Sequence, residues 1–251
     1  MFRASPYKLK MFDTCPLQYK YTYIDGLSDQ YKTAKPYLTM GAHVHNALKD
    51  FYENLKPEER DFKKLEEILR KRWAENRSGF SGVEDERKWG IKALQMLKLY
   101  VYKNDVTKTP SSLEDYYDAD IDHDLKVLGR IDRVDEDERG YHVIDYKTGK
   151  FDAKDVSDFQ LVIYALIMSA NIKKPIYKAS YLYLASDQWY SIDIDEDMYE
   201  SAALRVKEEV EKIKQEKKFD PKLNKYCKSC DFLEICPKKE EILKKLEEEE
   251  R

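Results

Sequence analysis

The sequence lacks several features that would place it in other classes of protein. Its 251 residues include only 8 glycines, 8 prolines and 4 cysteines, so it indicates neither a low-complexity chain nor a disulfide-rich scaffold. The longest apolar run, Leu161 to Met168, is too short to cross a membrane, and the N-terminus has no apolar signal segment. We therefore expect a folded cytoplasmic protein, inside the cell and with no membrane partner.

A strong net charge is also missing, although charged residues are abundant. They make up 37% of the chain and hydrophobic residues 42%, which is typical of a folded, highly charged protein. The net charge of −4 does not by itself indicate a nucleic-acid binder. Recognition of a nucleic acid would have to come from local basic patches.

Hydrophobic periodicity predicts an ordered succession of helices and strands. Val44, Ala47, Leu48 and Phe51 recur at intervals of three and four, as on the buried face of a helix. The predicted helices are 41–55, 59–76, 83–104, 155–170, 197–217 and a charged C-terminal helix, and the predicted strands lie within 113–147, 178–185 and 189–194. This order predicts an α+β or α/β fold, with a mixed central sheet flanked by helices and a helical insertion.

Two aspartates and a lysine are expected to converge at one edge of that sheet. Asp145 and Lys147 are two residues apart on a predicted strand, so their side chains share a face. A turn near Asp137 to Gly140 would fold the strand carrying Asp132 back alongside them. Such carboxylates can bind Mg²⁺ or Mn²⁺ and, with the ammonium group, support phosphodiester hydrolysis. Taken alone, an Asp-x-Lys pair is more often a weak surface ion pair.

Four short motifs occur in an order that one nuclease family shares. They are Gly41-Ala-His-Val-His45, Gly129-Arg-Ile-Asp132-Arg, Asp145-Tyr-Lys147-Thr-Gly and Gln160-Leu-Val-Ile-Tyr164. The chain therefore resembles the RecB-like nucleases of the PD-(D/E)xK superfamily, from Ser5 to Cys236. The resemblance implies a restriction-endonuclease-like core and one nuclease domain over 1–251. Its expected parts are an N-terminal segment (1–40), a helical part (41–110), a catalytic core (111–195) and C-terminal helices with cysteines (196–251).

The resemblance also implies roles for individual residues. His45, Asp132 and Asp145 are expected to bind the metal, and Lys147 is the expected catalytic lysine. His43 competes with His45 for the ligand role, but it lies on a different helical face and does not fit the motif spacing. Gln160 and Tyr164, one helical turn apart, are further catalytic candidates, and simple core packing is an equally good interpretation of Tyr164.

The cysteines form a second constellation. Cys227, Cys230 and Cys236 are spaced C-x2-C-x5-C, and Cys15 lies more than two hundred residues upstream. Four thiolates suit either a tetrahedral Zn²⁺ or a [4Fe–4S] cluster. The layout is similar to that of the AddB nuclease domain and the CRISPR-associated exonucleases, which implies a [4Fe–4S] cluster that joins the N- and C-terminal segments.

The expected function is that of a metal-dependent DNA nuclease. The resemblance favours a single-stranded DNA exonuclease, with endonuclease activity as an addition, and Arg130, Arg133 and Lys150 flank the carboxylates as candidate DNA-binding residues. One alternative is a DNA-processing subunit for CRISPR spacer acquisition or recombination, working with an integrase or helicase. Another is a noncatalytic DNA-binding scaffold with the same fold.

Overall fold

Helices and strands form close to where apolar periodicity predicts them. A computed structural model describes residues 1–154 and 156–249. The described residues form two compact units: Ala34–Ala203, and Met1–Thr33 with the described part of Leu204–Arg251. Asp155, the predicted first residue of one helix, lies outside the described residues, as do the last two residues of the predicted C-terminal helix.

The smaller unit consists mainly of short helices. Helix α1 begins at Pro6, and the Ser5 hydroxyl caps it by accepting a hydrogen bond from the Lys8 amide. The edge of the Phe12 ring packs against Tyr19 at 5.4 Å between ring centroids. The elements are β1 (Phe2–Ala4), α1 (Pro6–Thr14), α2 (Pro16–Tyr19), a π-helical turn (Lys20–Ile24), α3 (Ser28–Tyr31), two 3₁₀ turns (Cys227–Ser229 and Leu233–Ile235) and α9 (Lys239–Glu249). Helix α8 (Glu196–Gln215) begins in the larger unit.

The larger unit opens with three long helices, α4 (Pro36–Asn54), α5 (Phe62–Glu75) and α6 (Val83–Lys103). A 3₁₀ turn (Pro57–Glu59) lies between the first two. Helix α4 begins five residues before its predicted start, because Pro36 occupies the first helical position, where its missing N–H costs nothing. The four periodic apolar residues used for the prediction are buried, which confirms the amphipathic helix.

Five strands of the larger unit form a mixed sheet: β2 (Ser112–Asp122), β3 (Leu125–Asp137), β4 (Gly140–Lys147), β5 (Ile176–Tyr183) and β6 (Gln188–Asp193). Neighbouring strands run antiparallel from β2 to β4 and again between β5 and β6, whereas β4 and β5 are parallel. The turn between β3 and β4 falls where the sequence predicts it. Gly140 has a φ of +130°, and a Cβ there would lie 2.1 Å from the Pro175 carbonyl oxygen, so the turn requires glycine.

Helices pack on the sheet around strand β4. Helix α7 (Asp158–Ser169) makes the crossover between the parallel strands β4 and β5 and packs on β2 to β5. The three long helices bury a hydrophobic core against Ile144, Tyr146 and Leu182. This mixed sheet flanked by helices confirms the predicted fold class. Among helices in the described ranges, none combines the length and apolar character needed to cross a membrane.

Candidate metal centre and active site

Three buried carboxylates stand side by side on adjacent strands. The register of β2 and β3 pairs Leu113 with Arg133, so the next residue, Glu114, stands opposite Asp132. Continuation of the β3–β4 register beyond Arg133 brings Asp132 next to Asp145. All three acidic side chains are buried. Because like charges directly opposite each other repel, this row needs positive charge close to it.

His45 supplies part of that positive charge from helix α4. Its Nδ1 atom lies 3.2 Å from Glu114 Oε1 and 3.3 Å from Asp132 Oδ1. Burial alone would lower the pKa of the imidazole, but Asp132 and Glu114 outweigh it and raise the pKa to about 10. In the metal-free site the ring is therefore protonated at neutral pH, and Nδ1 donates to Glu114 and pairs with Asp132. The Tyr146 amide fixes Asp132 by donating to its Oδ2 at 2.7 Å.

The donor atoms of His45, Glu114 and Asp132 could hold one divalent cation. One ligand atom from each lies within 4.8 Å of the others, and in the described part of the chain no other set of three or more histidine, cysteine or acidic residues is gathered this closely. One imidazole and two carboxylates suit a hard divalent cation that also keeps water or phosphate ligands. The structure thus brings together two of the three predicted ligands and adds Glu114.

Two oxygens of the carboxylate row are buried without a hydrogen bond from any described group. They are Glu114 Oε2 and Asp145 Oδ2. Each lies beside a cation, at 2.8 Å from Arg130 Nε and 2.6 Å from Lys147 Nζ, but neither contact has hydrogen-bond geometry. Buried acceptors are seldom left in this condition in a folded protein. Their position fits a role as ligands of a cation.

Lys147 stands at the solvent side of the row. Its Nζ lies 2.6 Å from Asp145 Oδ2 and 4.6 Å from the centre of the Tyr181 ring, and about a third of the side chain is exposed. Burial raises the pKa of Asp145 to about 6; Lys147 opposes this shift and Asp132 adds to it. The ammonium group is thus held between a buried carboxylate, an aromatic face and solvent, where it can reach a bound anion.

Gln160 and Tyr164 share one face of α7, as predicted, and belong to the site's surroundings. Gln160 Nε2 donates to the Tyr164 hydroxyl at 2.9 Å, and its Oε1 accepts from Tyr181 at 3.2 Å. Burial and the nearby Asp145 carboxylate raise the pKa of Tyr164. A Cβ at Gly129 would lie 3.1 Å from the Tyr164 ring, so the motif glycine allows α7 to approach the sheet closely.

Among three other candidate residues, two are exposed and one is buried. Arg130 is about half exposed and pairs with Glu114, and Lys150 is exposed in the segment after β4. His43 is buried away from the carboxylates, with its Nε2 atom 2.7 Å from the Asn76 carbonyl oxygen. The choice of His45 over His43 as a candidate ligand agrees with these positions.

Arg133 does not lie where its predicted role in DNA binding requires. Successive residues of a strand face opposite sides, so Arg133 points away from the face that carries Asp132. Only 7% of Arg133 is exposed. Its guanidinium group pairs with Asp135 at 2.6 Å and donates to three buried hydroxyls, those of Tyr52, Tyr100 and Tyr146. We correct the prediction accordingly: Arg133 is a buried structural residue.

Glu114 is the site residue that the sequence did not predict. It stands in SLEDYYDADID, where acidic residues recur along the strand and none is distinguished by spacing. Its backbone has a φ of +54°, which is uncommon for a residue other than glycine and typical of a strained position at a functional site. The pairing of β2 with β3 would have identified it, since that pairing sets Glu114 opposite Asp132.

All four cysteines belong to the smaller unit. They are partly exposed, no disulfide joins any two of the four, and their sulfurs are not gathered as closely as the ligands of a single ion. Burial raises the pKa of the Cys230 thiol, and Cys15 and Cys227 raise it further. The predicted iron–sulfur cluster stays a prediction at this point.

Comparison with known proteins identifies the family. No curated protein matches the chain significantly. A solved structure described as "Crystal structure of SSO0001" is similar to it with 24% identity and a TM-score of 0.35, over 51% of this chain and 60% of that one. The chain therefore spans about three fifths of the length of that protein. The family model described as "PD-(D/E)XK nuclease superfamily" matches residues 3–237. The chain belongs to this superfamily, whose members are typically metal-dependent nucleases that act on DNA.

Proposed function

We propose that this protein is a metal-dependent deoxyribonuclease whose site comprises His45, Glu114, Asp132, Asp145 and Lys147. The observation that carries the proposal is the row of buried carboxylates, two of whose oxygens lack a hydrogen bond. The donor set fits Mg²⁺ or Mn²⁺. When bound, such an ion would offset the carboxylate charge and polarise a phosphodiester.

The residues around the row would orient the substrate. Lys147 Nζ, held by Asp145 and the Tyr181 ring, is placed to donate to a nonbridging phosphate oxygen or to a water molecule that attacks phosphorus. Arg130 and Lys150 are exposed and would bind neighbouring phosphates. Gln160 and Tyr164 would keep the Asp145 side of the site in position through α7.

We further propose a RecB-like enzyme that acts on single-stranded DNA, mainly as an exonuclease and in addition as an endonuclease. The order and spacing of the four motifs from Gly41 to Tyr164 support this assignment.

The experiment is cleavage of end-labelled single-stranded and duplex DNA with Mg²⁺ or Mn²⁺, against EDTA. We expect metal-dependent cleavage that Lys147→Gln reduces by about 10²-fold or more, in line with the loss of one transition-state contact. Lys126→Gln is the matched control, because Lys126 also lies on a strand and pairs with an aspartate, Asp118. Binding of DNA without cleavage under every metal condition would reject the nuclease and favour the scaffold.

We also propose that Cys15, Cys227, Cys230 and Cys236 hold a [4Fe–4S] cluster with a structural role. Each thiolate of such a cluster binds a different iron, so the sulfurs stand further apart than the ligands of one ion. Asn224 supports the proposal, because its backbone amide donates to Cys227 Sγ at 3.3 Å and its side-chain amide to the carbonyl of Thr14, the neighbour of Cys15, at 3.2 Å.

Analysis of iron, sulfide and zinc in anaerobically purified protein tests the cluster. We expect iron and sulfide with a broad visible absorption, which Cys230→Ser reduces and Ser229→Ala leaves unchanged. Stoichiometric zinc without iron or sulfide would show that the four cysteines bind zinc and would reject the cluster.

A further inference from the structure

A cavity lies in the larger unit between helices α4 and α6 and the segment after β4. Its volume is about 410 Å³, within the range of pockets that bind small ligands. Helix α4 contributes Tyr37 and Met40, helix α6 contributes Trp89 and Lys92, and the segment after β4 contributes Lys150. No role in metal binding or in the chemistry at Lys147 has been given to this cavity.

Two chain segments link the cavity to the proposed active site, helix α4 and the residues after β4. Tyr37, Gly41 and His45 follow one another at intervals of four on α4, so one helix face runs from the cavity to the metal ligand over about 12 Å. A Cβ at Gly41 would lie 3.3 Å from Thr148 Oγ1, so this face packs closely against the segment after Lys147. Lys150 is three residues beyond Lys147, which limits their separation to about 11 Å along the chain.

The cavity walls combine an aromatic plane, cations and an apolar floor. Trp89 is partly buried, and its Nε1 atom donates to Asp85 at 3.2 Å, which fixes the indole ring. Lys92 Nζ lies 4.1 Å from the centre of that ring. Tyr37 is 44% exposed, and the buried Met40 forms part of the apolar floor. Such walls suit a flat aromatic ring that carries a phosphate.

We propose that this cavity binds an unpaired nucleobase of the DNA strand that is being cut, one or two nucleotides from the scissile phosphate. The base would displace the Lys92 ammonium from the Trp89 ring face and stack there, and Lys92 and Lys150 would bind the flanking phosphates. A base within a duplex is stacked on its neighbours and cannot enter, so the cavity selects single-stranded or frayed DNA. The inference rests on the proposed nuclease function and names the substrate form that the same site takes.

The test compares Trp89→Ala, Trp89→Phe and Trp189→Ala. Trp189 is the matched control because it is also partly exposed, at 40%, and lies on β6 outside the cavity. Binding of a fluorescein-labelled single strand and of a blunt duplex is measured in a Lys147→Gln background, and cleavage of the single strand with Mn²⁺ is measured in the native background.

We expect Trp89→Ala to weaken single-strand binding by about 5- to 100-fold, the range found when one stacking aromatic is removed. The KM for cleavage should rise similarly, whereas kcat should change little. Trp89→Phe should retain most of the affinity, Trp189→Ala all of it, and duplex binding should not depend on Trp89.

An abasic nucleotide placed at successive positions of the strand gives a second measurement on the native protein, independent of whether Trp89→Ala folds. An abasic nucleotide at one position should weaken binding as much as Trp89→Ala does. Trp89→Ala combined with that abasic nucleotide should weaken binding no more than either change alone. Suppose that wild type binds and cuts the single strand. If Trp89→Ala then binds it as tightly as Trp189→Ala does, or if no abasic position weakens binding, the cavity assignment is wrong and the nuclease proposal stands. If wild type neither binds nor cuts DNA, the nuclease proposal fails as well.

Discussion

Two buried charged clusters lie on opposite faces of β3 and β4, and they differ in how their charge is satisfied. On one face, groups of the chain itself surround the Arg133 guanidinium: Asp135 and three tyrosine hydroxyls. On the other, the row of Glu114, Asp132 and Asp145 leaves two oxygens without hydrogen bonds and keeps a proton on His45. The first cluster satisfies its charge with hydrogen bonds, whereas in the second Arg130 and Lys147 pair with Glu114 and Asp145 but leave two acceptors that a bound cation could use. Buried acceptors without hydrogen bonds therefore distinguish the proposed functional face from the structural one.

Removing the charge of the Arg133 cluster should have the largest effect on stability. Arg133→Met would leave Asp135 and the buried hydroxyls without their donor, and we expect the free energy of unfolding to fall by roughly 3–5 kcal/mol. Urea denaturation measures this, both in EDTA and in Mn²⁺, and the loss should be the same in both.

The control for Arg133 is Arg139→Met, since Arg139 pairs with Asp137 on the surface, where an ion pair contributes little to stability. Equal losses in the two variants would show that the Arg133 cluster contributes no more than a surface ion pair.

The proton on His45 gives the carboxylate row a characteristic dependence on pH. The imidazole pKa is about 10 in the folded protein and about 6.5 in the unfolded chain, so protonated His45 stabilises the fold fully below pH 6.5. That stabilisation is lost as pH rises towards 10. In EDTA we therefore expect the free energy of unfolding to fall between about pH 7 and 9.5, by an amount on the order of a few kcal/mol.

His45→Gln should remove this pH dependence. The window lies above the Asp145 pKa of about 6, so Asp145 does not contribute to it. Equal slopes for wild type and His45→Gln would show that the row does not retain a proton on the imidazole.

Sequence patterns predicted the fold more completely than the site. Helix α4 and the turn between β3 and β4 follow from apolar periodicity and turn residues, and both features are visible in a short stretch of sequence. The position of Arg133 also follows from strand alternation, yet its place beside Asp132 in the motif favoured the wrong face. Identification of Glu114 as a site residue requires the register of β2 on β3, because only that pairing distinguishes it from the other acidic residues of β2. Register is a long-range property, and a single sequence does not reveal it.

Glu114→Gln should produce the smallest change in the metal-free protein and so compares the two clusters most sharply. The substitution keeps the shape and the Cβ, and the repulsion it removes from Asp132 offsets the attraction it removes from His45 and from the half-exposed Arg130. We expect the free energy of unfolding in EDTA to change by less than about 1 kcal/mol. In Mn²⁺ the stabilisation by the metal should fall by about 1.4 kcal/mol for each tenfold loss of affinity at a saturating concentration.

Glu136→Gln is the matched control for Glu114→Gln, because Glu136 lies further along β3 in a surface pair with Lys174. It should change stability little and equally in EDTA and Mn²⁺. Arg133→Met would then destabilise the protein whether or not metal is present, and Glu114→Gln only when metal is present. A Glu114→Gln variant that is destabilised equally in EDTA and Mn²⁺, with unchanged Mn²⁺ affinity, would make the carboxylate row a structural cluster like that of Arg133, and the contrast between the two faces would disappear.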